Sequence, residues 1–174
     1  KNVELGIIRN HYVGRTFIEP TQQIRSLGVK LKHSINKTLI KNKSLILIDD
    51  SLVRGTTSVK IIKMLYEFGA KEVHLRIASP PIKYPDYYGV DTPSKEELLA
   101  SKLDLEGMRK FINATTLQFL SIEGLYKSMG CDTRNVSYPQ YTDHCFTGDY
   151  PIEPVDAYEK DFKTNQITQM SKKI

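Results

Sequence analysis

Apolar residues gather first at 44–48, a short run of Leu and Ile, and then at Ile61, Ile62, Leu65 and Phe68, spaced three and four apart. The first run predicts a strand buried on both faces of a parallel sheet. The second predicts the inner stripe of a helix over 57–68, with Gly69 placed to stop it. Val73, Leu75 and Ile77 then alternate with His74 and Arg76, the period of a second strand, until Ser79, Pro80 and Pro81 break it. Strand, helix and strand over 44–79 make a βαβ unit. Ligands in such sheets bind beyond the carboxyl ends of the strands, which is where residues 49–57 fall.

The flanks carry weaker patterns. An extended start over 3–8 precedes a polar, basic stretch at 9–33 with Gly14, Pro20 and Gly28 as breakers, the composition of a long loop. Ser94 and Glu97 have capping-box spacing for a short helix, and Leu105, Met108, Phe111 and Ile112 form the apolar stripe of another. Residues 117–120 predict a short strand and 121–129 a helix closed by Gly130. Residues 131–154 hold three prolines and several tyrosines with little periodicity, and 155–174 is a polar tail.

With 174 residues, 40% of them hydrophobic, the chain is long enough for one ordinary domain with a real core. No apolar run approaches the roughly 20 residues of a membrane span, and no charged-then-apolar leader is visible. Cys131 and Cys145 are too few for a disulfide framework, so a reducing, cytoplasmic compartment is expected. The net charge of +5 is uneven: residues 1–43 hold nine Lys or Arg against Glu4 and Glu19, a net of +7, which leaves −2 for the rest. That asymmetry fits either a local anionic ligand or a solvated basic face. A nucleic-acid coat is not expected, because residues 9–43 lack interleaved aromatics on which bases would stack.

The chemistry concentrates in Asp49-Asp50-Ser51-Leu52-Val53-Arg54-Gly55-Thr56-Thr57-Ser58. Adjacent carboxylates repel unless a cation or a hydroxyl-rich ligand lies between them. The helix that follows points unpaired N–H groups and the positive end of its dipole at the turn, which suits a phosphate. Gly55 lets the backbone come close, and Thr56, Thr57 and Ser58 offer hydroxyls and N-caps. No Walker spacing is present. Acids beside a phosphate cradle point to a sugar phosphate, a ribose 5-phosphate. The plainer alternative takes Asp49 and Asp50 as turn formers and Thr56 as an N-cap only.

This stretch resembles the signature of type I phosphoribosyltransferases, which bind 5-phosphoribosyl 1-diphosphate (PRPP). Together with N-H-Y-V-G-R-T-F-I-E-P at 10–20, S-P-P-I-K-Y-P-D-Y-Y-G-V-D-T-P at 79–93 and C-F-T-G-D-Y-P at 145–151, it resembles the glutamine PRPP amidotransferases, from residue 1 to about 154. The resemblance implies an α/β, type I phosphoribosyltransferase fold, a parallel sheet with flanking helices, incomplete at its N-terminal side and with a C-terminal helical extension. Residues 1–154 would be the C-terminal part of the phosphoribosyltransferase domain and 155–174 a tail. The implied reaction replaces pyrophosphate at ribose C1 with glutamine-derived ammonia, giving 5-phosphoribosylamine for purine biosynthesis. Asp49 and Asp50 would hold Mg²⁺ and ribose hydroxyls. Ser51, Val53, Arg54, Gly55, Thr56 and Thr57 would grip the 5-phosphate. Tyr12 and Arg15 would belong to a catalytic loop that closes over PRPP, with Arg25, Lys30 and Lys32 either adding charge to it or simply solvated.

Other expectations are absences. The family's N-terminal catalytic cysteine and glutaminase domain, and a strand and loop expected ahead of Lys1, are not in this sequence, so the isolated chain is expected to be inactive alone. Some family members hold a four-cysteine iron–sulfur cluster, but Asp86, Pro139 and Thr142 stand where three thiolates would be, and no cluster is expected. Cys131, His144 and Cys145 give a weak zinc signal, with ordinary thiols the other reading. Expected partners are PRPP, purine nucleotides and further copies of the chain in a homo-oligomer, with neither membrane nor nucleic acid. A rival function is a non-catalytic sensor that binds PRPP or a nucleotide 5′-phosphate in the same cradle.

Overall fold

The computed structural model describes residues 3–9, 33–90, 92–152 and 154. An antiparallel ribbon pairs β1 (Ile7–Arg9) with β2 (His33–Ile35), and a single turn of helix, α1 (Lys37–Ile40), follows. Asn36 caps that turn by accepting from the Thr38 N–H at 3.2 Å. The main sheet then forms from β3 (Ser44–Asp49), β4 (Glu72–Ile77) and β5 (Thr116–Phe119), all parallel, in the order β3-β4-β5. α2 (Thr56–Glu67) crosses from β3 to β4. α3 (Leu99–Lys102) and α4 (Leu105–Ile112) lie between β4 and β5, and α5 (Ile122–Ser128) and α6 (His144–Thr147) come after the sheet.

One face of the sheet makes the core. Val73, Leu75 and Ile77 of β4 and Leu117 of β5 are buried with Ile62 and Leu65 of α2 and Met108 and Ile112 of α4. Leu45 and Leu47 of β3 pack against the same cluster. The expectation that β3 is buried on both faces is wrong for the described residues, since Ile46 is 53% and Ile48 70% exposed. α2 and α4 cover only one side. On the other, the register places Ser44, Ile46 and Ile48 beside Glu72, His74 and Arg76 and then Thr116 and Gln118. Those polar side chains bond to one another across the strands. The Ser44 hydroxyl donates to Glu72 at 2.6 Å, and Thr116 Oγ1 lies 2.9 Å from both His74 Nδ1 and Arg76 Nη1.

Several predicted boundaries shift by a residue, as helix ends do. α2 ends at Glu67 with Phe68 as its C-cap and Gly69 at φ +90°, where a side chain would be strained. α5 starts one residue later than predicted, because Ser121 is its N-cap and its Oγ accepts from the Gly124 N–H at 3.0 Å. The stripe on α4 is only half right: Met108 and Ile112 are buried, whereas Leu105 and Phe111 are 43% and 48% exposed. The capping box at 94–97 does not form. Ser94 makes no side-chain cap to the short 3₁₀ turn Lys95–Glu97, and Glu97 reaches elsewhere. The polar tail at 155–174 lies outside the described residues. Among the described residues, no helix is long and apolar enough to cross a membrane.

Candidate functional site

β3 delivers Asp49 to the carboxyl end of the sheet, and the chain turns there through Asp50–Gly55 into α2. The two acids are tied by the Asp50 N–H, which donates to Asp49 Oδ1 at 3.1 Å. Ser51 donates its hydroxyl to Asp50 Oδ1 at 2.9 Å. Asp50 Oδ2 takes no bond from any described residue, so that oxygen stays open to a hydroxyl or a cation. Leu52, 2% exposed, pins the loop into the core. The Val53 carbonyl is fixed from outside the loop by the Leu99 N–H at 2.9 Å.

Gly55 sits at the helix start with φ +74°, a left-handed conformation that disfavours any side chain. Space forbids one as well, because a Cβ would lie 2.9 Å from Leu99 Cδ2 and 3.1 Å from Phe111 Cε1. The expectation that hydroxyl side chains cap the helix is corrected: Gly55 is the N-cap and makes no side-chain bond. The first intrahelical bond runs from the Val59 N–H to the Gly55 carbonyl. The N–H groups of Thr56, Thr57 and Ser58 precede it and face the turn without an intrahelical acceptor, the arrangement that attracts an anion. Thr56 is exposed, Thr57 half-buried and Ser58 buried.

Of the predicted site residues, Asp49, Asp50, Ser51, Val53, Arg54, Gly55, Thr56 and Thr57 thus lie along one strand-to-helix turn, from the last residue of β3 to the first turn of α2. Tyr12 and Arg15, with Arg25, Lys30 and Lys32, lie outside the described residues. Three neighbours of the loop were missed: Glu97, Leu99 and Phe111. Each is more than forty positions from the residue it meets there, so no local pattern reveals them.

A second cluster joins 83–90 to 131–150. His144, 1% exposed, places Nε2 at 2.8 Å from Asp86 Oδ2, while its Nδ1 is buried without a hydrogen-bond partner. Burial opposes the Asp86 charge, but the N–H groups of Tyr88 and Val90 and the His144 ring outweigh it and hold the carboxyl below its ordinary range. The position where a cluster cysteine was considered is therefore occupied by a paired carboxylate. Asp143 accepts from the Tyr126 hydroxyl at 2.9 Å and from Arg134 Nε at 2.5 Å. Its burial is likewise outweighed by Arg134 and Tyr126, so its carboxyl titrates low. Burial raises the Cys145 thiol. Among the described residues, no group of three or more His, Cys, Asp or Glu is arranged to hold a metal.

The strand, acidic turn and Gly-started helix belong to a type I phosphoribosyltransferase fold, of which the described residues form a three-stranded parallel portion. No family profile matches the chain. Individual relatives do. The chain is 61% identical over 154 residues to amidophosphoribosyltransferase of Rhizobium etli, covering 88% of this chain and 31% of that protein. It is 50% identical over 150 residues to the Bacillus subtilis enzyme of the same name, covering 86% of this chain and 31% of that one. The solved B. subtilis glutamine PRPP amidotransferase, complexed with ADP and GMP, superposes with a TM-score of 0.72 at 50% identity, covering 86% of this chain and 33% of that chain. The resemblance read from four motifs is borne out: the chain is homologous to amidophosphoribosyltransferases and spans about three tenths of their length.

Proposed function

We propose that the chain is the PRPP-binding part of an amidophosphoribosyltransferase, taking part in the replacement of pyrophosphate at ribose C1 by ammonia. The observation that carries this reading is the loop Asp49–Thr57, in which a paired-acid corner and an uncapped helix start stand side by side at the end of β3. The helix N–H groups and the Arg54 guanidinium would hold the 5-phosphate. The open Asp50 oxygen and its neighbour Asp49 would accept from ribose hydroxyls. Their negative charge also favours the positive charge that grows on the sugar as the C1–O bond breaks and a C1–N bond forms. Ammonia gives up a proton in that exchange, and pyrophosphate carries away the bonding electrons.

Asp49 and Asp50 offer only oxygen ligands, which suits Mg²⁺; since no third metal-ligating side chain joins them among the described residues, the ion would complete its shell from PRPP and water. Bound there, Mg²⁺ supplies charge that neutralises the departing pyrophosphate. Tyr12 and Arg15 are proposed to close over PRPP. Purine nucleotides are proposed as further ligands, supported by the ADP and GMP in the B. subtilis relative.

Calorimetry tests this directly. The 174-residue chain should bind PRPP with Mg²⁺ and much more weakly without it. Asp50→Asn should weaken PRPP by about ten- to a hundredfold, the scale of a charged hydrogen-bonding partner, and ribose 5-phosphate far less. Equal losses for both ligands would contradict a role for the acids at the ribose and metal.

A further inference from the structure

Arg54 is held from outside its own loop. Its Nε donates to Glu97 Oε2 at 2.6 Å, and no other hydrogen bond to a described residue is made by its guanidinium. Both side chains are about half exposed, at 46% and 52%. An exposed pair of this kind contributes little to stability, so the fold alone gives no reason for it. Two further contacts bring the same short segment against the loop: the Leu99 N–H bonds the Val53 carbonyl, and Leu99 Cδ2 fills the space beneath Gly55. Residues 97–99 thus grip the loop on both sides of Arg54, by side chain at Glu97 and by backbone and methyl at Leu99. Glu97 is free to do this because it does not cap its own 3₁₀ turn.

We propose that Glu97 is a positioning residue for the phosphate loop, holding the Arg54 guanidinium by its Nε–H edge so that the two terminal NH₂ groups remain for an anionic ligand. Guanidinium is a planar fork, and fixing one edge fixes the direction of the others. An Arg on a loop tip would otherwise sample many rotamers and give up that freedom on binding. Glu97 removes part of the cost in advance. This inference rests on the PRPP-binding reading of the loop.

A double-mutant cycle in the 174-residue chain tests it, with Mg²⁺-PRPP affinity measured by calorimetry and stability by urea unfolding. Glu97→Ala should weaken PRPP about three- to tenfold, the orientation-dependent share of one charge-assisted contact, with the urea midpoint nearly unchanged. Glu97→Gln keeps an acceptor for Nε–H and should retain most of the affinity. In an Arg54→Ala background, Glu97→Ala should cause no further loss, because Glu97 acts through Arg54. Unchanged or tighter binding by Glu97→Ala, or the same loss with and without Arg54, would overturn the positioning role while leaving the loop as the PRPP site. Absence of Mg²⁺-PRPP binding by the unmodified chain would overturn the functional reading and this inference with it.

Discussion

Replacing Gly55 by valine is expected to destabilise the chain by about 2–6 kcal/mol, combining left-handed backbone strain with overpacking of a filled site. Both terms have a structural cause. The φ of +74° disfavours any Cβ, and the two groups that Cβ would meet, Leu99 Cδ2 at 2.9 Å and Phe111 Cε1 at 3.1 Å, belong to the segments that back the loop. Leu99 is 6% exposed and has little room to retreat. Relief by moving the loop would displace the first N–H groups of α2 and the Arg54 side chain together. PRPP affinity should therefore fall by at least about tenfold even where the variant stays folded, since about 1.4 kcal/mol of misplaced contacts is enough. Urea unfolding and calorimetry on one preparation measure the two effects. A valine variant with unchanged stability and affinity would show that the loop does not need the conformation described.

The second large effect is expected at Asp143, which has no part in the phosphate loop. Its carboxylate, 3% exposed, accepts from Tyr126, Arg134 and Thr147, and Arg134 is itself only 12% exposed. Removing one partner of a buried ion pair costs about 3–5 kcal/mol; Arg134 keeps a second acid, Asp149, so the low end, about 3 kcal/mol, is expected for Asp143→Ala. That corresponds to a melting temperature lower by about 6–12 °C in a chain of this size. Asp143→Asn, which keeps an acceptor for the Tyr126 hydroxyl, should cost less. The same network sets an acid limit. Asp143 and Asp86 both titrate below their ordinary range in the folded chain, so the unfolded chain binds more protons once pH falls below about 4. Their stabilisation is fully present above the unfolded value and is lost as pH falls through the folded one. Asp143→Ala should show a shallower loss of stability as pH falls below about 4 than the unmodified chain. An equal slope would mean that Asp143 is not paired as described.

Those two clusters differ in how far sequence reveals them. The loop is legible because its chemistry is contiguous: Asp49 to Thr57 occupy nine successive positions between an apolar run and a helical period. β4 is legible because Val73, Leu75 and Ile77 alternate against the polar His74 and Arg76, which is what one covered face requires. β3 misleads for the same reason, since Ile46 and Ile48 are apolar yet lie on the face left open by α2 and α4. Glu97 misleads through local spacing: three residues after a serine it has the form of a capping partner, and only the folded chain brings it to Arg54. The Asp86–His144 pair spans 58 positions, and the Asp143–Arg134–Tyr126 network joins α5 to a loop with no periodicity. No pattern of apolar residues encodes such contacts, because they are made by polar side chains meeting across irregular backbone.

Amide resonance perturbation on adding PRPP with Mg²⁺ to the isotope-labelled 174-residue chain tests the central claim most directly. Saturable shifts should be largest for Asp50, Ser51, Arg54, Gly55, Thr56, Thr57 and Ser58, and should be lost when Mg²⁺ is chelated or Asp50 is replaced by asparagine. Shifts confined to the open sheet face around Ile46 and Ile48, or to the basic residues at 37–43, with the Asp50–Ser58 amides unmoved, would contradict it.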